Sequence, residues 1–261
     1  MSLARSSAIG IASVAVGLTV VLWISQRTVS AQSGKDRSVG IESLPCAYNF
    51  TSGAGTNLFK WCLTSNGNIG SIESPPGYQH VYTEGYAVCR PEIAVNYWDF
   101  GTSASGFGPA TIVSGCTTGS SCTLRRDTLD GRFRLKMAFT QNKPEKEINI
   151  VHTLTNLSTT GVANVLVARV ADLDMDNSSG HDQSGAVGQS VWMYESRARM
   201  SLTGLTFLGL QALWVSGHNL SQDPCGYVSS GLDDFAMGIS YVATKIGSQR
   251  SKSFKFQYRR D

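Results

Sequence analysis

Alternating carboxylates are the densest chemical feature of this sequence: Asp172-Leu173-Asp174-Met175-Asp176-Asn177, followed by Gly180 and Asp182. Carboxylates at every second position of an extended backbone can turn their oxygens to one side. Calcium takes about six to eight such hard oxygen ligands. The spacing is not that of an EF-hand loop, which needs Gly at its sixth position and Glu at its twelfth; those positions hold Asn177 and Gln183. No Lys or Arg lies within the run, so the crowded charges repel one another unless an ion or solvent screens them. Asp172, Asp174, Asp176 and Asp182 are therefore the expected ligands of a structural Ca2+, with a plain solvated acidic loop as the alternative.

A second group runs Glu73-Ser74-Pro75-Pro76-Gly77-Tyr78-Gln79-His80 and continues to Glu84-Gly85-Tyr86. Its prolines and glycines predict a loop. Glu73, Glu84 and His80 are residue types able to exchange protons in a glycosidase or epimerase site. Tyr78, Tyr82 and Tyr86 can stack on sugar rings, or simply pack. The histidines His80, His152, His181 and His218 show neither H-x-H nor H-x-x-x-H spacing, which leaves zinc hydrolysis unsupported. Gly101-Thr102-Ser103-Ala104-Ser105-Gly106 misses the G-x-S-x-G spacing of a nucleophile elbow. No Walker loop or dinucleotide fingerprint is present, so no organic cofactor is expected.

Strands must position these groups. Phe133, Leu135, Met137 and Phe139 alternate with Arg132, Arg134, Lys136 and Thr140, the pattern of a strand with one buried and one wet face. Asp130-Gly131 predicts the turn joining it to a partner at Thr123–Leu129, and Asn66-Gly67 predicts a hairpin between Phe59–Leu63 and Asn68–Glu73. Ile148, Ile150, His152 and Leu154 share one face, which predicts a hydrogen-bonded core histidine at 152. The segment 165–171 is apolar on both faces and reads as a central strand. Phe254, Phe256 and Tyr258 alternate with Lys255, Gln257 and Arg259, the basic side chains forming a wet face. No segment beyond the first thirty residues has helical periodicity, and no internal repeat is visible. The expectation is all-β: a single large antiparallel β-sandwich over 45–261.

The remaining elements set the compartment. Arg5, the uncharged stretch Ala8 to Ser25 and the small residues Val29-Ser30-Ala31 form a signal-peptide layout over 1–31, with an uncleaved membrane-anchor helix as the competitor. Residues 32–44 read as a flexible polar leader. The chain carries 22 Lys+Arg against 19 Asp+Glu; losing Arg5 and Arg27 leaves 20 against 19, so neither nucleic acid nor another bulk polyanion is an expected partner. Six cysteines, with no C-x-x-C spacing, suit an oxidising compartment. Many pairings are open. Local closure favours Cys46–Cys62 and Cys116–Cys122, leaving Cys89 with Cys225; free buried thiols are the alternative.

Asn66-Gly67-Asn68-Ile69 through Glu73-Ser74-Pro75, Glu84-Gly85-Tyr86, Cys89, and Arg169-Val170-Ala171-Asp172-Leu173-Asp174 together resemble a group of exported bacterial proteins, over most of 45–258. The succession of long strands is also similar to the β-supersandwich of galactose-mutarotase-like domains. That second resemblance implies a His and a Glu facing a sugar ring, a pair that finds no residue-by-residue match here, so the activity is not carried over. Two functions remain open. One is an exported binding or structural module for a glycan or a surface protein, in contact with a membrane only through an uncleaved leader. The other is a carbohydrate-active enzyme with Glu73, Glu84 and the acidic loop as its carboxylates, for which Glu84→Gln abolishes turnover and spares the fold.

Overall fold

The computed structural model describes residues 44–117, 119–175, 183–195, 198–206, 210–216, 225 and 236–261. The expected signal or anchor segment and nearly all of the leader lie outside these residues. Within them the chain is built from β-strands and three single-turn 3-10 helices, and no helix is long and apolar enough to cross a membrane. The strands are β1 (Tyr48–Ser52), β2 (Phe59–Leu63), β3 (Ile69–Glu73), β4 (Thr83–Arg90), β5 (Val95–Phe100), β6 (Ser103–Ser105), β7 (Thr111–Gly115), β8 (Ser121–Asp127) and β9 (Phe133–Asn142). They continue as β10 (Glu147–Asn156), β11 (Val162–Asp172), β12 (Gln183–Val187), β13 (Ser190–Glu195), β14 (Ala198–Gly204), β15 (Leu210–Ser216), β16 (Ala236–Ile246) and β17 (Ser251–Arg260).

These form three antiparallel sheets. One has the order β1-β2-β3, a second β15-β16-β11-β4-β5-β6, and the largest β12-β13-β14-β17-β10-β9-β8-β7. Period-two alternation decides which face is buried. In β9 the side chains of Phe133, Leu135, Met137 and Phe139 are enclosed, and β10 and β17 present Ile148, Ile150, Leu154, Phe254, Phe256 and Tyr258 to the same interior. Each such side chain contributes about 1.5–3 kcal/mol, so a one-residue slip of register is heavily penalised. The doubly apolar segment is β11, flanked on both sides by β16 and β4, as a central strand requires.

One continuous apolar cluster takes residues from all three sheets. The β2–β3 hairpin lies inside it: Trp61 stacks on Phe50 at 4.1 Å between ring centroids and leans on Phe139 of the large sheet. Three disulfides, Cys46–Cys62, Cys89–Cys225 and Cys116–Cys122, take up every cysteine. Such cross-links belong to an oxidising environment.

One local expectation is corrected. Glu84-Gly85-Tyr86 lies in the middle of β4 and not in a loop. Gly85 serves close packing there, since a Cβ would collide with the Asp99 carbonyl oxygen and the Phe100 ring on the neighbouring β5.

Candidate functional site

Two buried ion pairs hold the tip of the β2–β3 hairpin. Arg169, in β11, faces Glu84 of β4 with Nε 2.5 Å from Oε1, and its Nη2 donates to Oε2 at 2.9 Å; neither side chain is solvent-exposed. Glu84 also accepts from the Ile69 backbone N–H at 2.6 Å and from the Tyr258 hydroxyl at 3.1 Å. Arg169 Nη2 reaches the Gly67 carbonyl at 3.4 Å. The second pair, Arg126 with Asp99, is equally enclosed. Asp99 takes hydrogen bonds from the side-chain amides of Asn66 at 2.9 Å and Asn68 at 2.5 Å, while Tyr86 donates to the Asn66 carbonyl at 2.8 Å. The Asn-Gly turn read from sequence is thus fastened by β4, β5 and β11 of the six-stranded sheet, backed by Tyr258 of β17 and Arg126 of β8 in the largest one.

His152 completes the network. Arg169 Nη1 donates to its Nε2 at 3.0 Å, which makes Nδ1 the protonated ring nitrogen of a neutral imidazole. Burial, reinforced by the Arg169 charge, holds the histidine well below its ordinary range. Burial also pushes Glu84 up to about 7, against the opposing pull of Arg169 and of its hydrogen bonds from Ile69 and Tyr258.

These shifts have opposite consequences for stability. Glu84 keeps its proton to higher pH in the folded than in the unfolded chain. Its contribution is complete below about 4.5 and is lost as pH rises through about 7. His152 is harder to charge when folded, so its contribution is complete above about 6.5 and is lost on acidification. Urea midpoints measured against pH separate the two. Relative to His152→Phe the wild-type protein loses stability as pH falls from 7.5 to 5, and relative to Glu84→Gln it loses stability as pH rises over the same range. Parallel profiles overturn this assignment.

The sequence-predicted acid–base residues differ in exposure and partners. Glu73 lies at the surface, 3.5 Å from Lys60 Nζ, and accepts from the Gly77 backbone N–H at 2.8 Å. His80 is buried, with Nε2 2.6 Å from the Ser74 carbonyl. Glu84 is enclosed in the network above with no solvent-exposed surface, and a Gln replacement removes the charge that Arg169 pairs with. Of the three tyrosines, Tyr86 is fully buried and Tyr82 is exposed. In the acidic run, Asp172 ends β11 half-buried and Asp174 is buried; Asp176 and Asp182 lie outside the described residues. Among the described residues no group of three or more His, Cys, Asp or Glu is arranged to hold a metal ion.

What the geometry does assemble is the outer face of the eight-stranded sheet. Register puts Ser190, Thr203, Gln257, Asn149, Thr140 and Ser121 side by side across β13, β14, β17, β10, β9 and β8. At the usual strand spacing this row of hydroxyls and amides runs about 24 Å. Ser190 and Thr203 are 2.7 Å apart, and Gln257 donates to Asn149 at 3.0 Å, which keeps the row's orientation fixed while hydroxyl and amide capacity remains for a ligand. Beside its β13 end, Trp192 leans over Gly185 of β12, where a Cβ would come within 2.6 Å of the indole. The Arg199 guanidinium lies over the same ring at 5.0 Å, and Tyr194 stands exposed next to it. Periodicity marked Gln257 and its neighbours as wet, but cross-strand register, which joins residues more than a hundred positions apart, was invisible in it.

No protein-family model matches the sequence, and no curated protein is significantly similar to it. Solved structures share its fold. A bacterial glucoamylase complexed with acarbose matches over 90% of this chain with a TM-score of 0.61 at 10% identity, and the chain spans only 34% of that protein's length. A protein from Escherichia coli K12 described as a "putative aldose 1-epimerase" matches over 82% of this chain and 98% of its own, with a TM-score of 0.52 at 9% identity. At such identities the likeness defines the architecture, an antiparallel β-sandwich of the kind found in these two proteins. Residue roles do not transfer with it.

Proposed function

We propose that this chain is an exported, disulfide-stabilised β-sandwich that binds carbohydrate on the outer face of its eight-stranded sheet. The observation that carries this reading is the six-strand row Ser190–Thr203–Gln257–Asn149–Thr140–Ser121 with Trp192 and Tyr194 at its end. Sugars present hydroxyls around an apolar ring face; short hydroxyl and amide side chains satisfy the first and aromatic rings cover the second. A sheet supplies these groups on a rigid backbone, so little ordering entropy opposes binding. The three disulfides and the signal-like leader support a location outside the cytoplasm. The fold shared with a glucoamylase and with the Escherichia coli protein supports a sugar ligand. A catalytic role for Glu84 gains no support from its enclosed position.

Affinity electrophoresis against a panel of soluble polysaccharides tests the reading. Retardation by at least one of them is expected, with Tyr194→Ala and Trp192→Ala each weakening it about tenfold or more while the urea midpoint of Tyr194→Ala stays within the wild-type error. Undiminished retardation of both variants, or retardation by none of the panel, overturns it. A surface-protein ligand is the reading that gains if no polysaccharide binds.

A further inference from the structure

The outer face of the eight-stranded sheet carries a surplus of positive charge in a chain that is otherwise close to neutral. Among the described residues six basic side chains lie on it: Arg199, Arg259, Lys255, Arg134, Lys136 and Arg125. Two are neutralised, Arg134 by a two-pronged pair with Asp127 at 2.8 Å and Arg259 by Asp261 at 2.7 Å, with Glu147 at 3.4 Å. The other four side chains, Arg199, Lys255, Lys136 and Arg125, have neither an ion pair nor a hydrogen bond among the described residues. Lys136 and Arg125 stand directly opposite each other on β9 and β8. Like charges in that relation destabilise a sheet, and Asp127, the carboxylate that attracts Arg125, is already paired with Arg134. The four occupy β14, β17, β9 and β8: Arg199 lies on one side of the Thr203–Gln257–Asn149 row, and Lys255, then Lys136 and Arg125 at one level, lie on the other. Strand spacing and the rise between alternate residues make this diagonal about 30 Å long.

Resting on the carbohydrate reading above, we propose that the ligand is an acidic polysaccharide, a linear chain of uronate sugars lying along the diagonal from Arg199 to Arg125. A single sugar acid meets one of these cations; a repeating carboxylate meets all four, while the intervening hydroxyl and amide side chains take up its hydroxyls. Arginine next to an aromatic ring suits a carboxylated sugar especially well, since its planar fork pairs the carboxylate and the ring covers the sugar face. The attraction is between exposed groups and is therefore screened within about 10 Å at 0.1 M salt.

The test measures retardation by polygalacturonate and by a neutral dextran, at 50 mM and 500 mM NaCl, for the full-length wild-type protein and for Lys136→Glu/Lys255→Glu. Both substituted residues are on the wet face, and Lys136→Glu places a carboxylate opposite Arg125, so circular dichroism stays unchanged and the urea midpoint does not fall. Polygalacturonate binding is expected to fall at least tenfold in the variant and at least tenfold at high salt, with dextran binding weak throughout. Binding of dextran alone overturns the acidic ligand and leaves a carbohydrate-binding face standing. Equal retardation by double-stranded DNA at matched charge overturns sugar recognition in favour of a general polyanion surface. Retardation by neither polysaccharide overturns the acidic ligand, while the carbohydrate-binding face stands or falls on the wider panel.

Discussion

Removing the Cys89–Cys225 disulfide by a double alanine replacement lowers the free energy of unfolding by about 5 kcal/mol, the largest loss expected from any single cross-link in this chain. The reason lies in the unfolded state. Cys89 in β4 and Cys225 are 136 residues apart, against 16 for Cys46–Cys62 and 6 for Cys116–Cys122. The chain-entropy relation for closing loops of these sizes gives about 5, 3 and 2 kcal/mol respectively. Both half-cystines of the long loop are buried, and they pack with Ala87, Phe100, Ala168, Val170 and Ala236 in a small second apolar cluster. Alanine at these positions therefore also gives up some packing, which adds to the loss. Urea unfolding of the three double variants checks the order. Should Cys116→Ala/Cys122→Ala prove as costly as Cys89→Ala/Cys225→Ala, the stabilisation does not come from the denatured chain.

Arg169→Met is expected to cost about 3–5 kcal/mol, because it strands the Glu84 carboxylate in a fully enclosed position. Among the described residues the guanidinium is the only cation paired with that carboxylate, and it also bonds His152 and the Gly67 carbonyl and lies 5.2 Å from the Phe139 ring centre. Its loss releases the hairpin tip as well as the charge. Two further measurements separate these effects. Without Arg169 the Glu84 carboxyl takes a proton more readily, so the defect shrinks as pH falls from 8 to 5. Adding Glu84→Gln to Arg169→Met recovers part of the loss, since it removes the unpaired charge. A defect of unchanged size at both pH values, with no recovery in the double variant, means that Arg169 contributes packing alone.

Much of the architecture was legible because it follows from local alternation. The 132–140 pattern, the Asn66-Gly67 turn and the doubly apolar 165–171 segment each report on a few consecutive side chains, and β9, the β2–β3 hairpin and central β11 follow them closely. Gly85 was misread because a glycine that opens a turn and one that lets two strands approach are alike in sequence. Arg169 was hidden by its apolar neighbours. Only the contact with Glu84, 85 positions away, explains a charge there.

Composition, cysteine parity and period-two alternation determined by themselves that this is a strand-built chain suited to an oxidising compartment, since each depends on residue type and on near neighbours. Tertiary structure decided that Glu84 is part of a buried fastening, and that Trp192, Gln257, Asn149 and Lys136 share one surface. Such properties belong to strand order and register, which bring distant residues within about 5 Å of one another and leave no trace in the spacing of either.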